Sequence, residues 1–250
     1  MTAPDVLIVI PARLGSSRFK RKVLVPLAGR PLLYHVWREA SRSKLADRIV
    51  IATDSDEIQQ VAVGFGAEVI RTGKSHRTGS DRAAEVMRRI GGKIVVNFQG
   101  DTLGLSGRTV DRAIAKVQAD RSIGVVTLAH RITNNADLTN PNVVKLICDR
   151  ERRAIAFSRS LIPHVRGSQR RARVTWEAFN FLHHIGVYVF TADVLRRYSG
   201  WPRTPLEKAV SLEQLRLLEH GQAIHVVTTR SKSVSIDSPE DLDNWSRRYI

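Results

Sequence analysis

The sequence predicts an α/β fold: a mainly parallel sheet, with a smaller mixed-sheet lobe set into its second half. Two observations carry this. Continuous apolar runs at Val6–Ile10, Arg48–Ala52 and Lys93–Phe98 have the two-faced hydrophobicity of strands covered on both sides. Between them lie amphipathic stretches long enough to be crossover helices, the alternation that builds parallel sheets. With 250 residues, 42% of them hydrophobic, residues 1–250 can form one substantial domain.

Val6–Ile10 opens the sheet. Pro31–Ala40 follows as a helix, with proline in the first turn, where its missing N–H does no harm. After strand Arg48–Ala52, Ser55 with Asp56 and Glu57 starts a helix through a capping hydroxyl and an acidic first turn. Strand Ala67–Ile70, helix Asp81–Ile90, strand Lys93–Phe98, helix Arg108–Ala119 and strand Gly124–Ala129 complete the first half. The character then changes. Val143–Cys148, Ala154–Phe157 and Ile185–Phe190 read as strands and Arg166–Arg173 as a basic excursion, so a second lobe is expected over about residues 130–190. Leu206–His220 reads as one amphipathic helix closed by Gly221, Ile224–Thr229 as a late strand, and Ser238–Asp241 as the cap of a terminal helix.

A single cysteine, Cys148, excludes a disulfide framework and a multi-cysteine zinc site. The N-terminus lacks a signal-peptide pattern and no apolar run approaches a membrane span, so a cytoplasmic protein with no membrane insertion is expected. The net charge of +16 suits anionic partners. No helix-turn-helix, zinc finger or aromatic RNA platform accompanies it, so nucleic acid is not the expected partner.

In parallel sheets ligands sit at the carboxyl ends of strands, which places the loops after Pro11, Asp54 and Gln99 around one crevice. The first loop carries Arg13, Gly15, Ser16, Ser17, Arg18 and Lys22. Small residues let backbone N–H groups approach a phosphate chain, and the cations neutralise it. It is neither a Walker A loop nor a dinucleotide GxGxxG. Thr78, Gly79 and Ser80 can face a base or ribose, or simply cap the helix that follows. Asp101, behind Gly100 at a strand end, can hold Mg²⁺ against phosphate oxygens; Asp237, before Ser238-Pro239, is the best second carboxylate, and each could instead be a turn or cap residue.

These residues belong to blocks that together resemble a family. In order they are IPARLGSSR with Lys22, GRPLLYHV (Gly29–Val36), ATD (Ala52–Asp54), HRTGSDRAAEV (His76–Val86), NFQGD (Asn97–Asp101) and NPNVVK (Asn140–Lys145). FSRSLIP (Phe157–Pro163), HHIGVYVF (His183–Phe190), TPLEKAVSLEQLRLLEHG (Thr204–Gly221) and IDSPEDL (Ile236–Leu242) complete the set. The sequence is similar, nearly end to end, to the 3-deoxy-manno-octulosonate cytidylyltransferases (CMP-Kdo synthetases). The resemblance implies a Rossmann-like nucleotidyltransferase sheet, CTP and an acidic 2-keto-3-deoxy sugar as substrates, Mg²⁺, and a homodimer formed through the second lobe. It assigns Arg13, Arg18 and Lys22 to the triphosphate, Thr78, Gly79, Ser80 and Arg82 to the nucleotide, and Asp101 and Asp237 to the metal. Gln99, Arg159, His184, Tyr188, Glu213 and Gln214 match positions around the sugar acid. Arg18, Lys22, Asp101 and Asp237 are the expected catalytic set.

Four places depart from the family's pattern. The family's R-L-P-G-K is Arg18-Phe19-Lys20-Arg21-Lys22, its QGDEP is Gln99-Gly100-Asp101-Thr102-Leu103, an arginine is replaced by His183, and an aromatic and an acid after Pro163 are replaced by His164-Val165-Arg166. A paralogue using another acidic sugar, or a non-catalytic nucleotide- or nucleic-acid-binding protein, are the alternative functions.

Overall fold

The computed structural model describes residues 3–15, 19–166, 174–231, 233–236 and 238–249. It begins with β1 (Val6–Ala12), a 3₁₀ turn (Lys22–Leu24), the small hairpin β2 (Pro26–Leu27) and β3 (Arg30–Pro31), and α1 (Leu32–Ala40). Next come β4 (Arg48–Thr53), α2 (Asp56–Gly64), β5 (Glu68–Arg71), α3 (Gly79–Ile90), β6 (Ile94–Asn97), β7 (Thr102–Leu103), α4 (Gly107–Ala119) and β8 (Val125–Arg131). The second half holds α5 (Asn135–Thr139), β9 (Lys145–Cys148), β10 (Ala154–Ser158), a 3₁₀ turn (Trp176–Ala178), β11 (Leu182–Thr191) and α6 (Ala192–Gly200). It ends with α7 (Pro205–Val210), α8 (Leu215–Glu219), β12 (His225–Thr229), β13 (Val234–Ser235) and α9 (Pro239–Tyr249).

The main sheet runs β10-β9-β11-β6-β1-β4-β5, with β8 beside β11 and β12 beside β8. Strands β6, β1, β4 and β5 are mutually parallel; β11 enters antiparallel to β6. β1 shows why the central strands read as unbroken apolar runs. Successive strand residues point to opposite faces: Val6, Ile8 and Ile10 pack with Leu33, Val36 and Ile114, whereas Leu7 and Val9 pack with Ala83, Val86 and Leu195. Both faces are sealed by helices. The strands β9 and β10 extend this same sheet, while Ile132, Leu138, Val143 and Phe181 form a small core of their own between them and β8.

One expectation is corrected. Leu206–His220 is two short helices, α7 and α8, because Ser211 adopts a left-handed conformation (φ 57°, ψ 49°) and ends the first. The amphipathic period runs on through the break, so the pattern does not reveal it. The stretch Arg166–Arg173 lies outside the described residues from 167 onward.

Candidate active site

The carboxyl ends of β1 and β6, the start of α3 and the α7–α8 break surround a cavity of about 440 Å³. Parallel pairing of β6, β1 and β4 brings Asn97 level with Val9, and Pro11 level with Ala52, so the loops leave the sheet on one edge. Arg13, Lys22, Thr78, Gly79, Arg82, Gln99, Asp101 and Glu213 all line the cavity. Gly15 lies in the adjoining pocket with Arg13 and Arg82, open on the side where a Cβ would stand. Ser80 is buried just behind the wall. Ser16, Ser17, Arg18 and Asp237 lie outside the described residues.

The Lys22 ammonium meets the Asp101 carboxylate at 2.5 Å, with both side chains largely shielded. Gly100 is what allows Asp101 this position: a Cβ there would lie 2.6 Å from the Pro11 carbonyl oxygen, and backbone cannot easily give way. Gly100→Ala is therefore expected to cost about 1–3 kcal/mol and to lower turnover by displacing Gln99 and Asp101, read by thermal melting alongside kcat. The short strand β13 pairs antiparallel with β7, and the Ile236 N–H donates to the Asp101 carbonyl at 3.0 Å. This ties the chain next to residue 237 to Asp101. The Asp101 carboxylate at the cavity wall is an oxygen donor of the kind Mg²⁺ takes.

The start of α3 is a reciprocal capping box. Thr78 accepts from the Asp81 N–H, and the Asp81 carboxylate accepts from the Thr78 N–H. Gly79 packs against Gln99 and Asn97, where a Cβ would come within 2.8 Å of the Gln99 amide nitrogen. Arg82 is buried, donates to the Thr72 hydroxyl and faces Asp54 at 3.5 Å. Burial pulls its pKa down, and Asp54 opposes that pull.

Glu213 reaches this loop from the α7–α8 break. Its carboxylate accepts from the Ser80 N–H and hydroxyl and from the Asn97 amide. Burial raises its pKa to about 7, against hydrogen bonds from Thr78 and Ser80. Behind it, the Tyr188 hydroxyl donates to Gln214 Oε1 at 2.9 Å, and Gln214 Nε2 is buried without a partner among the described residues. His184 sits against the Thr127 hydroxyl at 2.9 Å. The structure does not bring Arg159, His184, Tyr188 or Gln214 to the cavity wall. The Arg159 guanidinium is engaged with the carbonyls of Val210, Pro141 and Ser211, so it holds the α7–α8 break in place.

These buried groups set a pH dependence. Burial pushes His183 and His184 down to about 3, with His130, His184 and Lys145 adding to the effect at His183. The unfolded chain then binds two protons below about pH 6.5 that the folded chain refuses, so each histidine removes roughly 2 kcal/mol of stability by pH 5. Glu213 acts oppositely: the folded state takes its proton first, and stability rises between pH 7 and 4.5. The melting temperature is expected to fall from pH 6.5 to 5, about twice as steeply in Glu213→Gln as in the wild type.

A cytidylyltransferase family model matches residues 7–224. The 3-deoxy-manno-octulosonate cytidylyltransferase of Geobacter sulfurreducens is 40% identical over 242 residues, covering 96% of this chain and 97% of that one. The enzyme of the same name from Chlorobium limicola is 41% identical over 241 residues, covering 96% and 95%. This chain belongs to the 3-deoxy-manno-octulosonate cytidylyltransferase family. A solved CMP:2-keto-3-deoxy-manno-octonic acid synthetase in complex with CTP superposes with a TM-score of 0.87 at 33% identity, covering 97% of each chain. HddC from Yersinia pseudotuberculosis, at 13% identity and a TM-score of 0.69 over 99% of this chain and 100% of that one, shares the fold.

Membership explains one departure in structural terms. Arg21 stands where the family keeps glycine, and it adopts φ 58°, a left-handed conformation that glycine takes freely. Its guanidinium pairs with Glu57 at the start of α2, a contact glycine could not make. Thr102 and Leu103, in place of an acid and a proline, form β7 and pair with β13.

Sequence reasoning missed three residues of the site. Arg203 and Glu207 line the cavity, and Arg216 lies behind it, joining Glu207 at 2.8 Å and Asp81 at 3.1 Å. Glu207 and Arg216 fall within the stretch Leu206–His220, which read as one amphipathic helix. The available signal was the block Thr204–Gly221 itself, whose charged residues alternate with apolar ones on segments too short to stand free.

Proposed function

We propose that the chain transfers the cytidylyl group of CTP to the anomeric hydroxyl of an acidic 3-deoxy-2-ulosonic sugar of the octulosonate kind, releasing pyrophosphate. What carries this reading is the Lys22–Asp101 pair at the wall of a cavity whose other side is the start of α3. A phosphate chain entering there meets Lys22 and Arg13, which line the cavity together with Arg77 and Arg82. The transfer is an in-line displacement that depends on position and charge. Lys22, with Arg18 of the same loop, takes up negative charge growing on the departing pyrophosphate. Asp101 and Asp237 would hold Mg²⁺, which when bound polarises phosphate oxygens and lowers the pKa of an attacking hydroxyl. Engagement of phosphate by Lys22 frees the Asp101 carboxylate. Glu213 and Gln99 face the cavity where the sugar would lie.

A homodimer formed through the second lobe belongs to the same proposal. Ile155, 58% exposed on the edge strand β10, supports it; sedimentation of the wild type against Ile155→Glu tests it, with a shift to monomer expected. Among the described residues no helix is long and apolar enough to cross a membrane.

A matrix of four nucleoside triphosphates against octulosonates, nonulosonates and neutral sugars, read by pyrophosphate release with Mg²⁺, tests the activity. Turnover is expected for CTP with an acidic octulosonate. No turnover by folded protein across the matrix would refute catalysis, and turnover confined to a nonulosonate would move the chain to a different sugar.

A further inference from the structure

We propose that a groove sharing no lining residue with the active-site cavity is a second anion site, which takes a small, multiply charged phosphate compound. The groove, about 570 Å³, lies where the end of β12, the start of α4, the end of β8 and the turn between β9 and β10 converge. Each contributes an arginine: Arg230, Arg112, Arg131 and Arg152. The rest of its lining is Thr109, Asn180, Leu182, Thr228, Thr229 and Ser231, with no carboxylate. The hydroxyls are ordered: Thr109 and Ser231 lie 3.2 Å apart, and the Ser231 N–H donates to the Thr229 hydroxyl at 3.0 Å.

Charge placement in the β9–β10 turn sharpens the point. Arg153 is held by Asp149 at 2.6 Å and Glu151 at 3.0 Å. Its neighbour Arg152, turned the other way by a left-handed backbone (φ 62°), lines the groove. Among the described residues none of the four groove guanidiniums makes an ion pair with a carboxylate, whereas Arg48, Arg89, Arg196 and Arg203 all do. Four cations gathered around one concavity repel one another, and an anion with several charges relieves this. Guanidinium forks match phosphate oxygens in pairs, and threonine and serine hydroxyls add neutral donors.

A small anion fits better than a nucleic-acid strand. Strand binding relies on free aromatic faces for stacking. Of the rings near the groove, Trp176 is covered by the Arg131 guanidinium at 5.6 Å, and Phe179, beside Asn180 in the chain, packs edge-on with Phe181 at 5.3 Å. In the adjoining pocket, which shares Arg230 and Ser231, Tyr34 has Arg30 at 5.4 Å and Arg38 at 5.8 Å.

Calorimetry of the full chain with inorganic tripolyphosphate tests the proposal, comparing wild type with the double variant Arg112→Gln/Arg152→Gln. Both substitutions are on exposed side chains outside the catalytic cavity, so the KM for CTP and the melting temperature serve as controls that should not move. The wild type is expected to take two tripolyphosphates per chain and the variant one. The second site should weaken roughly tenfold or more between 50 and 200 mM KCl. One tripolyphosphate in the wild type and none in the variant keeps the groove and removes the cavity as a tripolyphosphate site. Equal stoichiometry in the two proteins, whether one or two, overturns the proposal. So does tight binding of a single-stranded oligonucleotide that the double substitution abolishes while tripolyphosphate stoichiometry stays at one. Loss of turnover in the matrix above, with two tripolyphosphates still bound, would sink the catalytic reading and leave this one standing.

Discussion

Asp101→Asn is expected to lower kcat by about 10²–10³-fold or more while leaving the chain folded. The reason is positional. Asp101 follows a glycine that no larger residue can replace without a 2.6 Å approach to the Pro11 carbonyl, and its side chain reaches the one lysine of the triphosphate loop that the structure places at the cavity wall. Asparagine keeps the volume and removes the charge, so it takes away the anionic donor proposed for Mg²⁺ and the ion-pair partner of Lys22. The fold should tolerate this. Asp101 holds β13 through its backbone carbonyl, which the substitution leaves intact. Lys22→Ala gives the complementary reading: if the cation contacts phosphate both before and during transfer, as proposed, the KM for CTP rises and kcat falls together. If the two residues act as one unit, the double variant loses little beyond the worse single variant. Asp101→Asn retaining half the wild-type kcat would remove the carboxylate from the mechanism.

What the sequence revealed, and what it hid, follows from how each signal is written. The central strands were legible because burial on both faces leaves no polar alternation, as Val6–Ile10 shows. The place of Asp101 on the cavity wall was legible because the carboxyl ends of parallel strands open onto one crevice, though its sequence alone left a turn or cap role open. The α7–α8 break was not, since it turns on Ser211, which is neither glycine nor proline, and the hydrophobic period continues across it. Glu213 therefore read as a helix surface, and only family resemblance drew it to the sugar; the break is what carries it to Ser80 and Asn97. Arg159 was drawn by the same resemblance toward a sugar carboxylate, yet in this structure its donors hold the carbonyls that shape the break. A charged residue's type says nothing about whether its partner is a ligand or the backbone.

Arg216→Met is expected to cost about 3–5 kcal/mol, because it leaves the buried Glu207 carboxylate with Arg203 alone and takes the guanidinium from the partly exposed Asp81, and to lower the melting temperature by roughly 10 °C. The Arg216 and Glu207 side chains are 3% and 1% exposed, and the guanidinium holds both Glu207 oxygens at 2.8 Å. Burial pulls the Arg216 pKa down, but the hydrogen bonds and charge of Glu207 outweigh this and leave it raised. The same guanidinium lies 4.2 Å over the Tyr198 ring and bonds Asp81, the acid of the α3 capping box. Arg216 is thus a positioning residue: it links the α7–α8 region to the loop that presents Thr78 and Gly79. Stability alone would not distinguish this from simple packing, so the discriminating variant is Arg216→Met/Glu207→Leu. Replacing a whole buried pair with apolar side chains is often neutral, so the double variant should recover most of the lost stability. Asp81 still lacks its guanidinium there, and the KM for CTP should stay raised with kcat much less affected. Recovery of both the melting temperature and the KM would show that Arg216 serves Glu207 alone and does nothing for the nucleotide loop.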